Sequence, residues 1–340
     1  GLYRSDDTGL SWEKITNGLP EGKAGRIALA IAESNPDIVY ACYEHDSLGL
    51  FRSDDRGISW KNINNEVFTS YWYGRIYVDP TDEDNIFIID VHIKESVDGG
   101  KNFTSVIPGR NVNVDHHVLW INPSNTDLRL LGNDGGLYRT YDGNTDWTFI
   151  ANLPIGQYYD ISIDNRDPYW IYGGLQDNGV WAGPSRSVAG TLINNDDIVH
   201  ISGGDGFYSA VDPNDNNIVF SESQYGYIGR YNYLTDKRKR IKPEAEEGKE
   251  YRFNWNTPFF ISRHEPHKLF IGAQQVLKSG DSGDSWEEIS TDLTAYYDLD
   301  TIMVIGEKPV IKSYFTITAL AESPLKKGVI YAGTDDGRLH

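Results

Sequence analysis

Cysteine occurs once in the 340 residues, at Cys42, and methionine once, at Met303. A lone thiol excludes an internal disulfide framework and a thiolate zinc cluster, and it leaves the compartment open because exported proteins need not carry disulfides. Basic residues are also scarce: 31 Lys and Arg stand against 50 Asp and Glu, a formal charge of −19. Most of such a surface repels a nucleic-acid backbone or an anionic bilayer, so no nucleic-acid partner is expected. No stretch approaches the roughly 18 to 20 apolar residues of a bilayer-spanning helix, so membrane insertion is not expected either. P-loop, Rossmann and Gly-x-Ser-x-Gly patterns are missing, and no cofactor is implied. The sequence begins at Gly1, so a targeting segment ahead of it would be invisible.

Glycine (34) and aromatic residues (13%, with 9 Trp and 22 Tyr) are plentiful. That composition favours many strands joined by tight turns. One pattern recurs. Ser5 to Trp12 (SDDTGLSW), Ser53 to Trp60 (SDDRGISW) and Ser279 to Trp286 (SGDSGDSW) all fit S-x-D-x-G-x-[ST]-W, with variants at Ser96 to Phe103 (SVDGGKNF) and Thr140 to Trp147 (TYDGNTDW). Each reads as a hairpin turn. The Asp (Asp7, Asp55, Asp98, Asp142, Asp281) bonds its own turn backbone, the Gly takes a positive φ, and the aromatic residue (Trp12, Trp60, Phe103, Trp147, Trp286) anchors the returning strand in the core.

A second repeat interleaves with the first: an apolar strand, a polar turn containing Pro, and another apolar strand, as in RIYVDPTDEDNIFIID from Arg75 to Asp90. Pro36, Pro80, Pro123, Pro168, Pro213, Pro266 and Pro324 mark seven such units, spaced by 44, 43, 45, 45, 53 and 58 residues. A period near 44 with four strands is that of a propeller blade. The sequence therefore predicts an all-β, seven-bladed β-propeller of four-stranded antiparallel blades. The first hairpin, from Gly1 to Ile15, precedes any Pro unit, and the last Pro unit, from Phe315 to Thr334, has no complete hairpin after it. The closing blade is thus expected to be shared between the N- and C-terminal segments, which hides the sheet edges.

The Asp turns resemble the Asp-box (BNR) repeat of sialidases, family 74 xyloglucanases, sortilin-type receptors and photosystem II assembly-factor propellers. A closer resemblance runs through WYGRIYVDP (72–80), VDHHVLWINP (114–123), GNDGG (132–136), GGLQDNG (173–179), GAQQVLKS (272–279) and ALAESPLKKGVIYAGTDDG (319–337). These segments are similar to large sortilin-related, BNR-repeat proteins of bacteria, often labelled glycosyl hydrolases. The resemblance implies a secreted, periplasmic or cell-surface protein built of tandem propellers, with residues 1–340 as one propeller of a longer chain and its other domains as partners. It assigns architecture, not activity.

Strand alternation puts the regular Pro and Asp turns on one face of a propeller and the remaining connections on the other, where binding residues are expected. The connections near Lys237 to Arg252 and Ser290 to Ser313 are the long ones and are expected to form a wall or lid. On that face lie Arg75, His116, His117, Asn133, Asp134, Gln176, Asp177, Asn178, Asp205, Asn256, Gln274, Gln275 and Asp335. Read as a site, they hydrogen-bond a sugar or a peptide. Read plainly, they are Asx-Gly turn residues bonding locally. Aromatic clusters at Tyr71 to Tyr73, at Tyr158 and Tyr159, at Tyr251, Phe253 and Trp255, and at Tyr314 and Phe315 either stack on a ligand or pack between blades.

Glycoside hydrolysis needs two carboxylates roughly 5 to 9 Å apart. Asp134, Asp177, Asp205 and Asp335 are the candidates if the protein is an enzyme. Sialidase is disfavoured because the Arg-Ile-Pro sequence of that family is missing. His116 and His117 with Asp115 or Asp134 could hold a metal, but adjacent strand residues face opposite ways, and no metal site is expected. The acidic turns Asp79 to Asp84 and Asp212 to Asp215 do not match a calcium loop. The basic run Lys237 to Arg240 is answered in sequence by Glu244, Glu246 and Glu247, which predicts a solvated strand end. The expected function is recognition of a glycan or peptide, with a tandem-propeller glycoside hydrolase and a structural or assembly role as the alternatives.

Overall fold

Each of the seven Pro turns joins two antiparallel strands in the computed structural model, which describes residues 1–22, 24–44, 49–65, 74–106, 112–143, 146–153, 155–187, 190, 192–295, 301, 303 and 314–340. A local mechanism makes most of these turns alike. The residue before the proline accepts the N–H of the residue after it: Asp79 from Thr81 (2.9 Å), Asn122 from Ser124 (3.0 Å), Asp212 from Asn214 (2.8 Å), Asn35 from Asp37 (3.4 Å) and Ser323 from Leu325 (3.3 Å). The proline fixes φ and the short polar side chain closes the turn.

The Asp turns are equally regular. In the second, Asp55 Oδ1 accepts the Ser59 N–H (2.8 Å), Asp55 Oδ2 accepts the Ser59 hydroxyl (2.6 Å), and Ser53 Oγ accepts the Gly57 N–H (2.8 Å). Arg56 and Gly57 both take positive φ, 60° and 81°, as a tight hairpin turn requires. The same bonds recur at Asp7 and Asp281. At Asp98 the amide of Asn102 replaces the hydroxyl, and Asp142 accepts from Thr140 and Asp146. The expected aromatic anchors are less uniform. Trp60 and Trp147 are buried, but Trp12 is exposed, because within its unit no sheet precedes the first hairpin to cover it.

The chain divides into two compact units. In Gly1–Pro154, the hairpin Tyr3–Arg4 with Glu13–Lys14 is followed by three four-stranded sheets. The first contains Ile27–Ile31, Val39–Tyr43, Gly49–Ser53 and Lys61–Asn64. The second contains Arg75–Asp79, Asp82–Ile89, Ile93–Ser96 and Thr104–Val106, and the third His116–Ile121, Arg129–Asn133, Gly136–Thr140 and Thr148–Phe149. In Ile155–His340, the fourth sheet contains Tyr158–Ile163, Trp170–Leu175, Gly179–Pro184 and Val199–Ser202. The fifth contains Ser209–Val211, Ile218–Ser223, Tyr227–Asn232 and Lys237–Arg240, and the sixth Phe259–Ile261, Leu269–Gly272, Val276–Ser279 and Glu287–Glu288. The pair Ile317–Glu322 and Ile330–Thr334 ends the unit.

The protein is therefore all-β. Among the described residues, its six four-stranded antiparallel sheets and two terminal hairpins carry the strands of a seven-bladed β-propeller with four-stranded antiparallel blades. Lys237–Arg240 is itself an outermost strand, so the connection expected from Lys237 begins only after it.

Each core lies between successive sheets. Ile38, Tyr40 and Leu50 of the first sheet pack on Ile76, Ile86 and Ile88 of the second, and Phe87, Ile89 and Ile93 pack on Leu119, Leu131 and Tyr138 of the third. In the second unit, Tyr172, Val180 and Ile201 meet Val219 and Tyr231, and Phe220 and Ile228 meet Phe259, Leu269, Ile271 and Leu277. Fully burying one such side chain stabilises by roughly 1.5–3 kcal/mol. No helix among the described residues is long and apolar enough to cross a membrane.

Candidate functional site

In the first unit, the expected site residues sit where the third sheet begins and where its second and third strands turn. Asp90 O accepts the His116 N–H (2.7 Å), tying the second sheet to the third. A bulge between His116 and Val118 separates the two histidines. His116 is buried, and that burial pushes its pKa down to about 4, so it is neutral. His117 Nε2 lies 2.7 Å from Asp134 Oδ1. Asn133 closes its own turn: its Oδ1 accepts the Gly135 N–H (2.9 Å), and its amide donates to Asn113 O (2.8 Å). Arg75 is exposed at the start of the second sheet and donates to Gly74 O. The cluster Tyr71 to Tyr73 lies outside the described residues, as does most of the connection expected from Ser290 to Ser313.

In the second unit, carboxylates and amides tie each turn to the next sheet. Asp205, 4% exposed, accepts the Asp177 N–H through Oδ1 (2.7 Å) and the Gln224 amide through Oδ2 (3.1 Å). Asp177 is left-handed, with φ 58°, and the Asn178 amide donates to Gln176 O (2.9 Å). Gln274 Oε1 accepts the Arg252 N–H (2.7 Å) while its amide donates to Glu250 O (2.9 Å); its neighbour Gln275 is also buried. Asp335 accepts both the N–H and the hydroxyl of Thr316 (3.0 and 2.9 Å). The Asn256 N–H donates to Asn254 Oδ1 (3.2 Å), and Asn256 Oδ1 is enclosed without a hydrogen-bond partner.

Beside Asp205 an aromatic chain crosses from the fourth sheet to the sixth. Tyr159 lies 4.6 Å from Phe207 between ring centroids, Phe207 6.3 Å from Trp255, and Trp255 5.0 Å from Tyr225. Phe207 is buried and forms the floor, whereas Tyr159, Trp255 and Tyr225 are about 40% exposed. Tyr225 takes a left-handed backbone, φ 59°, costing a non-glycine residue roughly 1–2 kcal/mol. The Tyr225 N–H bonded to Trp255 O (3.1 Å) helps hold it there.

Sequence reasoning found Tyr159 and Trp255 but missed Tyr225, Tyr227 and Glu222. The Gly after Tyr225 was the available signal for the first. Glu222 carries none: it stands in an alternating strand and is fully enclosed beneath the turn, where burial pushes its pKa up to about 9. It is a neutral acid at pH 7, out of reach of a glycosidic oxygen. The basic run also differs from its sequence reading. Lys239 pairs with Asp284 (2.8 Å), as does Arg230 (3.0 Å), while Glu246 pairs with Lys249. For Lys239 the acid comes from the Asp turn of the neighbouring sixth sheet, not from the acidic residues that follow it in sequence.

No family model matches the chain, and no curated protein matches it. Among solved structures it is similar to the GH74 enzyme of Niastella koreensis, at 14% identity and a TM-score of 0.37, covering 86% of this chain and 63% of that one. It is also similar to the GH74 xyloglucanase of Xanthomonas campestris, at 14% identity and 0.33, covering 86% and 42%. A third is YCF48 of Cyanidioschyzon merolae, at 11% identity and 0.31, covering 95% and 97%. The chain spans less than two thirds of the length of either GH74 enzyme.

Proposed function

We propose that this protein is an exported recognition module that binds a glycan on the aromatic chain formed by Tyr159, Trp255 and Tyr225. The observation that carries the reading is Trp255, whose ring stands over buried Phe207, edge-on to Tyr225, with much of its surface in water. A sugar presents an apolar face of C–H bonds and a rim of hydroxyls. The rings take the face, and Asp177 near Tyr159 and Gln224 next to Tyr225 in the chain suit the rim. Export rests on the resemblance in sequence to exported bacterial proteins.

Recognition is preferred to hydrolysis because Asp205 and Asp335 hold backbone N–H groups in place and Glu222 is sealed from substrate. The test is an array of glycans and peptides probed with the full chain, followed by product analysis of every hit. Glycan binding without turnover supports the reading. Turnover abolished by Asp134→Asn or Asp205→Asn would replace it with the hydrolase, binding of peptides alone would move the ligand class, and an empty array would favour a structural role.

A further inference from the structure

The aromatic chain continues into cations. Lys242 Nζ donates to Tyr225 O (2.7 Å) and lies 4.6 Å from the centre of the Tyr227 ring and 4.9 Å from that of Phe253. Arg240 stacks on Tyr227 as well, its guanidinium carbon 4.6 Å from the ring centre. Trp255 and Tyr225 are thus joined, through the Tyr225 backbone, to Lys242, and Lys242 and Arg240 both lie over the Tyr227 ring.

Two features make this cluster unusual in a chain of charge −19. Among the described residues, neither Arg240 nor Lys242 forms an ion pair, whereas the nearby Lys239 and Arg230 share Asp284. The acid that acts on Lys242 electrostatically is Glu222, whose burial keeps it protonated at neutral pH, so it does not cancel the charge. The cluster also opens into a groove of about 250 Å³ between the strands Val199–Ser202 and Lys237–Arg240. Arg238 and Arg240 line that groove together with Ser202, whose enclosed hydroxyl has no hydrogen-bond partner.

We infer that the ligand is an anionic polysaccharide, its sugar rings on Trp255 and Tyr225 and its carboxylates or sulfate esters on Lys242 and Arg240. This deepens the glycan reading and rests on it. A neutral glycan would leave two cations without an anionic partner beside the platform. A polymer with a charge on each sugar can lay one ring on the platform while its anions reach the cations beside it, and the negative remainder of the surface disfavours anions elsewhere.

The experiment titrates the full chain with polygalacturonate, chondroitin sulfate, a neutral β-glucan and a single-stranded oligonucleotide. Each is measured at low and high salt, because screening weakens exposed ionic contacts. In Arg240→Gln/Lys242→Gln, binding of the anionic glycans should fall about tenfold or more, as lost charge-assisted contacts of about 1.4 kcal/mol imply. The charge-preserving Arg240→Lys/Lys242→Arg should retain it, which separates loss of charge from loss of fold. Preference for polygalacturonate assigns carboxylate as the anion, and preference for chondroitin sulfate assigns sulfate; either supports the inference. Neutral glucan bound as tightly as both anionic polymers, and unchanged in the glutamine variant, overturns the inference and leaves the glycan reading standing. No glycan bound at all overturns both. An oligonucleotide bound as tightly overturns the sugar requirement.

Discussion

Glu222 Oε1 accepts the Thr257 N–H at 3.2 Å, and the Gly226 N–H at 3.3 Å, so one enclosed carboxyl ties a turn of the fifth sheet to the start of the sixth. Its Oε2 has no hydrogen-bond partner. The acid is held neutral because an ion there would have lost its hydration without gaining a cation at contact distance.

That arrangement makes stability depend on pH. The folded pKa, about 9, lies above the ordinary 4.5, so the folded state keeps a proton that the unfolded chain releases. The contribution is fully present below about pH 4.5 and is lost as pH rises through about 9. Glu222→Gln keeps the accepting oxygen and cannot ionise. Thermal melts should show the parent falling relative to the variant between about pH 5 and 9, with Glu222→Gln ahead by about 2 °C or more at the alkaline end. Parallel melting curves across that range would refute the assignment.

The Asp turns work in the opposite sense. Hydrogen bonds from Ser11, Ser59 and Ser285 hold Asp7, Asp55 and Asp281 at about 2, and Asn102 does the same for Asp98. Folded values below the ordinary 3.8 mean that the stabilisation is present above about pH 4 and is lost as pH falls towards 2. Asp55→Asn keeps one acceptor and removes the charge. It should lower the melting temperature at pH 7 by a few degrees, with the difference from the parent shrinking below pH 3. A difference that stays constant down to pH 2 would rule out a role for the charge.

Gly226 positions the aromatic platform through its backbone. Its φ is 69°, and a Cβ there would stand 2.7 Å from the Phe253 ring. Gly226→Ala therefore strains the turn and displaces Phe253, on which Lys242 rests. We expect a loss of about 1–3 kcal/mol in chemical denaturation and a weaker glycan complex. Gly248 also has a positive φ but nothing within 4 Å, so Gly248→Ala should cost less and leave binding unchanged.

The two repeats made the fold legible because their causes are local. A short polar residue before proline, or Asp-x-Gly after Ser, closes a turn within its own few residues, and the seven Pro turns and the turns at Asp7, Asp55, Asp98 and Asp281 form where the spacing puts them. The cation cluster was hidden because it depends on pairing. Arg240 meets Tyr227 only because Lys237–Arg240 registers against Gly229–Asn232 and so sets Arg240 opposite Gly229. Glu222 was hidden for a similar reason: its enclosure comes from Thr257, 35 residues further on. Of the polar residues expected at the site, Asp205, Asn133 and Gln274 are each engaged with neighbouring backbone. Sequence could name these groups but not their partners.

Trp255 offers the sharpest test of the platform. It is exposed on one side, contacts Phe207 and Tyr225 at their edges, and accepts a main-chain hydrogen bond that a side-chain change does not remove. Trp255→Ala should therefore leave the melting temperature nearly unchanged while lowering glycan affinity about tenfold, the loss expected when about 1.4 kcal/mol of stacking is withdrawn. Trp255→Phe should restore most of the affinity because a flat face returns. Phe253 gives the contrast: it is buried, so Phe253→Leu should lower the melting temperature, with a smaller loss of affinity because Lys242 rests on its ring. Calorimetric titration of the four proteins separates these outcomes. Affinity unchanged in Trp255→Ala would remove the platform from the binding surface, and with it the reason for reading this face as a glycan site.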